Sequence, residues 1–183
     1  MNTNNKKEKQ KNIYADNNVL YPIICKWKQD RKTNPTARMP EELGEAILDI
    51  AHGLVKRWNF NQYTWKQDMV DDAIAACVSG LHNFDETRYD NVYGYINKAC
   101  WQAFLMRIYI EKAEDAKKWK MFLETYDAND DDMVQLANDD FVNDIHKKIA
   151  EYEQDLETRK QNRKLAVQER VKINTNTLDF LEV

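Results

Sequence analysis

Two apolar stripes at helical spacing, separated by a short polar stretch, occupy residues 64–108. In the first, Met69, Ala73, Cys77 and Leu81 recur every fourth residue, with Ile74 and Val78 beside them. That spacing is one face of an α-helix. Asp68, Asp71 and Asp72 lie along the opposite edge. Thr64 and Gln67 have the spacing of a capping box, which predicts that the helix starts there. The pattern stops after Gly80, His82 and Asn83, and Phe84 to Thr87 read as a loop. A second run follows with Val92, Tyr95, Ile96, Ala99, Cys100, Ala103, Phe104 and Ile108. It is richer in aromatics than a core requires.

Outside this pair the same period continues. Residues 17–31 carry Leu20, Ile23, Ile24 and Trp27 on a short helix, whose start Pro22 holds back to Tyr21. Pro40 opens a stronger helix with Glu41 and Glu42 at its positive end and Lys56 and Arg57 at its negative end. Its apolar side comprises Leu43, Ile47, Ile50, Ala51, Leu54, Val55 and Trp58. Beyond Ile108 helical character continues with an excess of lysine: Lys112, Lys117, Lys118 and Lys120 against Glu111, Glu114 and Asp115. An acidic segment, Asp127 to Asp132, precedes a further amphipathic helix carrying Phe141, Ile145, Ile149 and Tyr152. From Glu157 the apolar period fades into a basic stretch with Arg159, Lys160, Arg163, Lys164, Arg170 and Lys172.

Composition narrows the fold class. Four glycines and three prolines in 183 residues leave little material for the turns of a sheet protein. We expect an all-α helical bundle with flexible ends: a disordered basic arm at 1–15, a helical core domain at 16–156, a basic flexible linker at 157–176 and a hydrophobic-acidic tail at 177–183. The charged content is 32%. No apolar run approaches the roughly 20 residues needed to span a bilayer, and the N-terminus lacks the apolar segment of a secretory signal, so no membrane partner is expected.

The same inventory argues against catalysis. His52, His82 and His146 stand alone, and there is neither a nucleophile motif nor a glycine-rich phosphate loop. Asp130 to Asp132 lack the ligand spacing and glycine of a calcium loop, so no metal and no cofactor is expected. Cys25, Cys77 and Cys100, widely spaced, read as reduced and packed. A net charge of -4 disfavours a sequence-independent coat on nucleic acid but allows a small local footprint. The chain reads as a non-enzyme.

Residues 68–108 resemble, without a gap, the second conserved region of bacterial sigma factors, in which an acidic helix ending in phenylalanine precedes a tyrosine-rich helix. Asp68 and Asp72 match the acidic positions, Phe84 the helix-ending phenylalanine, Tyr95 the base-capturing tyrosine, and Gln102 with Ala103 the glutamine-alanine pair. Residues 47–58, ILDIAHGLVKRW, look like the preceding helix. The phrases GLHNFDET, DDDMV and LDFL are similar to the late-transcription sigma factors of T-even-like phages, a likeness running from about Trp27 to Leu181.

This resemblance implies a set of roles. Asp68, Met69, Asp71 and Asp72 would dock on the clamp helices of the largest subunit of host core RNA polymerase, complementary charge steering the contact. Tyr95 would hold an unstacked base of promoter DNA at an AT-rich minus-ten-like element. Gln102 would read a base edge, and Lys98, Arg107 and Lys112 would contact phosphates. Trp101 completes the expected DNA-binding set. Leu178, Asp179, Phe180 and Leu181 would bind the phage DNA sliding clamp as a short docking motif. The implied location is the cytoplasm of the infected host, with room for a late co-activator.

One departure stands out. Host-type sigma factors carry two adjacent tryptophans where this chain has Lys98 and Ala99. No helix-turn-helix that would read a second promoter box is expected within these residues. Several alternatives remain open on the residues alone. The aspartates fit a solvated helix face, any one aromatic fits the core, and the tail residues fit a segment folded back on the domain. A helical adaptor or inhibitor that binds polymerase without reading DNA fits the same chain.

Overall fold

Asp16 opens the first helix. Its carboxylate accepts from the Asn18 amide at 2.9 Å and starts α1, Asn17–Thr33. Pro22 lies inside this helix, so it does not delay the start to Tyr21. A proline there removes one backbone bond, and burial of Leu20, Ile24 and Trp27 on one face offsets that loss. The Trp27 indole N–H is satisfied by the Ala37 carbonyl at 3.3 Å.

The computed structural model describes residues 15–127 and 129–179. Among them are six α-helices and no strand: α1, α2 (Glu41–Val55), α3 (Lys66–Gly80), α4 (Val92–Thr125), α5 (Asp131–Leu136) and α6 (Asp139–Asp179). The chain is all-α. None of these helices is long and apolar enough to cross a membrane. Two compact units are present, one ending at Ile108 and one beginning at Tyr109, a boundary inside the span read from sequence as a single domain.

In the first unit α2 supplies the most continuous buried face: Leu43, Ala46, Ile47, Ile50, Ala51, Leu54 and Val55. Trp58 departs from expectation and is 83% exposed. The helix ends at Val55, so its period no longer sets the direction of residue 58, and the turn Trp58–Phe60 buries Phe60 instead. α3 also starts differently. Its cap position is Trp65 with no side-chain hydrogen bond, and the Gln67 amide donates to the Asp71 carboxylate at 2.9 Å rather than closing a capping box with Thr64. α3 and α4 share a seam where the free thiols of Cys77 and Cys100 lie 3.5 Å apart. The neighbouring thiol and burial push the Cys100 thiol up from its ordinary pKa.

In the second unit the Asp130 carboxylate accepts from the amides of Asp132 and Met133 and caps α5. Lys120 pairs with Glu153 at 2.6 Å, and Phe122 packs edge-on against Phe141. Residues 157–176, expected as flexible linker, are helical and belong to α6. Straight-chain residues such as Arg, Lys, Gln and Glu favour helix without an apolar face. One ion pair spaced four apart, Arg159 with Asp155, adds to that preference. The expected basic arm falls almost wholly outside the described residues.

Candidate functional site

The segment joining α3 to α4 is held by α1. The Asn17 amide donates to the Asp90 carbonyl at 2.8 Å, while its oxygen accepts from the Tyr93 amide at 3.3 Å. The Tyr21 hydroxyl donates to the Glu86 carbonyl at 3.0 Å. Lys28 reaches both the Phe84 carbonyl and the Glu86 carboxylate. Three side chains separated by regular helix spacing therefore fix the loop from one side. Nothing local in residues 84–91 reveals that support, because the partners are 56 to 73 residues away in sequence.

The loop is also braced from within. Asp85 accepts from the Thr87 hydroxyl at 2.6 Å and the Thr87 amide at 3.1 Å, and these bonds hold its carboxyl below the usual carboxylate range. Glu86 is lowered too, chiefly by the Lys28 ammonium. Asn91 accepts from the Gly94 amide at 2.7 Å and so satisfies a free donor of the first turn of α4. Gly94 leaves room for that cap: a Cβ there would come within 2.7 Å of the Asn91 side chain.

This bracing shapes a cleft of about 700 Å³ between the loop and the first turns of α4. Tyr95, Lys98 and Gln102 line it along one helix face, and Arg88 and Tyr89 line it from the loop. Lys98 and Gln102 are exposed, and Tyr89 is 57% exposed with the Arg88 guanidinium 5.8 Å from its ring centre. Tyr95 is half-buried: its hydroxyl donates to the Gly80 carbonyl at 3.1 Å, and its ring meets the buried Phe84 in an edge contact. Cationic, amide and aromatic groups thus converge on one open surface. Sequence reading passed over Arg88 and Tyr89, although a cation next to an aromatic in a polar loop is a visible signal.

The other expected DNA contacts lie elsewhere. Trp101 is half-buried, edge-on against Phe60 at 5.2 Å, so it serves the core. Arg107 forks onto Asp72, Nε to one carboxylate oxygen at 2.6 Å and Nη2 to the other at 2.8 Å. Its planar donors are therefore directed to a carboxylate within the protein rather than to a phosphate. Lys112 belongs to the second unit and lines a shallow recess there with Trp119 and Tyr152.

The acidic set divides as well. Asp68 and Asp71 are exposed on α3, whereas Asp72 is committed to Arg107. Met69 is fully buried and cannot meet a partner on the surface. In the tail, Leu178 and Asp179 form the last positions of α6, and Phe180 and Leu181 lie outside the described residues.

No protein-family model and no curated protein sequence matches this chain.

Proposed function

We propose that the chain is a minimal sigma factor for phage late genes. It binds host core RNA polymerase through Asp68 and Asp71 on α3, and it takes an AT-rich minus-ten-like promoter element in the cleft between the loop and α4. Its Leu178 to Leu181 end binds the DNA sliding clamp, which activates initiation. The observation that carries this reading is the convergence of Tyr95, Lys98 and Gln102 on one cleft, within the stretch that resembles sigma factors. Aromatic faces hold unstacked bases at roughly 1 to 3 kcal/mol per base, and nearby cations hold the phosphates between them.

The hydroxyl bond from Tyr95 to Gly80 favours a second reading, a polymerase-binding adaptor that does not read DNA. Transcription from a linear template with an AT-rich minus-ten-like element, using purified core polymerase and the full chain, separates the two. A defined start site supports the sigma reading; stable polymerase binding without a defined start rejects it in favour of the adaptor. Removing residues 178–183 is expected to abolish stimulation by the clamp and leave unassisted initiation intact.

A further inference from the structure

Past Arg159, α6 continues as an exposed helix. All residues from Lys160 to Glu169 are exposed, including Leu165 and Val167. Residues 158–168 contain Arg159, Lys160, Arg163 and Lys164 and not one carboxylate. Arg159 is engaged, paired with Asp155 and stacked over the Tyr109 ring at 3.6 Å. Lys160, Arg163 and Lys164 flank a shallow open recess on one face, spaced three and four residues apart. Like charges at that spacing oppose helix formation. Lys160 is 4.0 Å from Glu157, at the outer limit of an ion pair. The helix therefore presents a row of mutually repelling cations to solvent.

We propose that this face of α6 is a sequence-independent docking surface for the phosphate backbone of duplex DNA. Four helical residues rise about 6 Å, and phosphates on one strand recur about every 3.4 Å of duplex axis. The three cations can therefore meet two or three successive phosphates. Gln161, Asn162 and Gln168, on the same stretch, add neutral donors suited to phosphate oxygens. A chain with a net charge of -4 cannot bind DNA by bulk attraction, so such a local cluster would carry the contact. The choice of DNA over another polyanion rests on the sigma reading. Duplex flanking the promoter element is the polyanion that such a protein meets.

The test is fluorescence anisotropy of the full chain with a labelled GC-rich 30-base-pair duplex lacking any AT-rich element, titrated at several salt concentrations. Replacing Lys160, Arg163 and Lys164 together by glutamine keeps helix propensity and removes the charge. Affinity is expected to fall about tenfold or more, and the slope of log K against log salt by about 2 to 3, at roughly 0.9 for each phosphate no longer neutralised. The variant Lys160→Arg with Lys164→Arg is expected to keep both. Wild-type affinity and slope in the triple variant, an equal loss in the charge-preserving variant, or equally effective competition by polyglutamate would overturn the proposal. A chain that binds this duplex as expected but gives no defined start site rejects the sigma reading and leaves the α6 contact standing.

Discussion

Asp72 and Arg107, 35 residues apart in sequence, close a two-bond ion pair between α3 and α4. A forked guanidinium-carboxylate pair fixes both distance and orientation, and these side chains are 25% and 37% exposed for Arg107 and Asp72. Water screens part of the attraction, so the coupling should be modest, about 1 kcal/mol. A double-mutant cycle of Asp72→Ala and Arg107→Ala, read by urea unfolding, is expected to return that value. Arg107→Ala should also leave the salt slope of DNA binding unchanged. A drop of about one in the slope would return Arg107 to the phosphate contacts.

Tyr95 combines a structural bond with a proposed role on DNA. Tyr95→Phe removes the hydroxyl that donates to Gly80 and keeps the ring, at an expected cost of about 0.5–1.5 kcal/mol. Because the aromatic face remains, open-complex formation by the polymerase complex should persist in Tyr95→Phe and decline in Tyr95→Ala. Permanganate footprinting of the melted region reads this directly. Equal footprints for all three proteins would take Tyr95 out of base capture.

Met69 is buried in the core between exposed aspartates. Met69→Ala should cost about 2–5 kcal/mol through reduced burial and a cavity. Asp68→Asn and Asp71→Asn should leave the melting temperature nearly unchanged and weaken polymerase binding. Thermal denaturation beside a binding titration separates the two effects. A Met69→Ala protein as stable as wild type would remove it from the core.

The loop should lose one ion pair of its brace in acid. The Lys28 ammonium, foremost, holds the Glu86 carboxyl below its ordinary value. A lowered folded-state pKa means that stability from this group is fully present above the unfolded value, about 4.3, and is lost as pH falls through the folded one. Glu86→Gln should flatten that part of the stability-pH curve while leaving Lys28 bonded to the Phe84 carbonyl. Chemical denaturation between pH 3 and 6, compared for the two proteins, measures the difference. Identical slopes would show that the ion pair adds nothing.

Helical periodicity, with the scarcity of glycine and proline, determined the all-α class, the buried face of α2 and the pairing of an acidic helix with an aromatic one. The reason is physical: a 3.6-residue period states which side chains share a face, and scarce glycine and proline leave few places to break it. Tyr95, Lys98 and Gln102 were singled out only through the likeness to sigma factors, and it is the fold that sets them along one cleft. What each face meets was decided only by tertiary packing. Asp72 and Asp71 are neighbours with the same chemistry, yet Arg107 on α4 claims one while the other remains exposed. Met69 lies one residue from Asp68, about 100° further round the helix, and is buried in the core while Asp68 is exposed. Trp58 and Trp101 exchanged their expected settings because a helix ended at Val55 and Phe60 packed against α4. The brace of the candidate site comes from Asn17, Tyr21 and Lys28 of α1, contacts that no local pattern encodes.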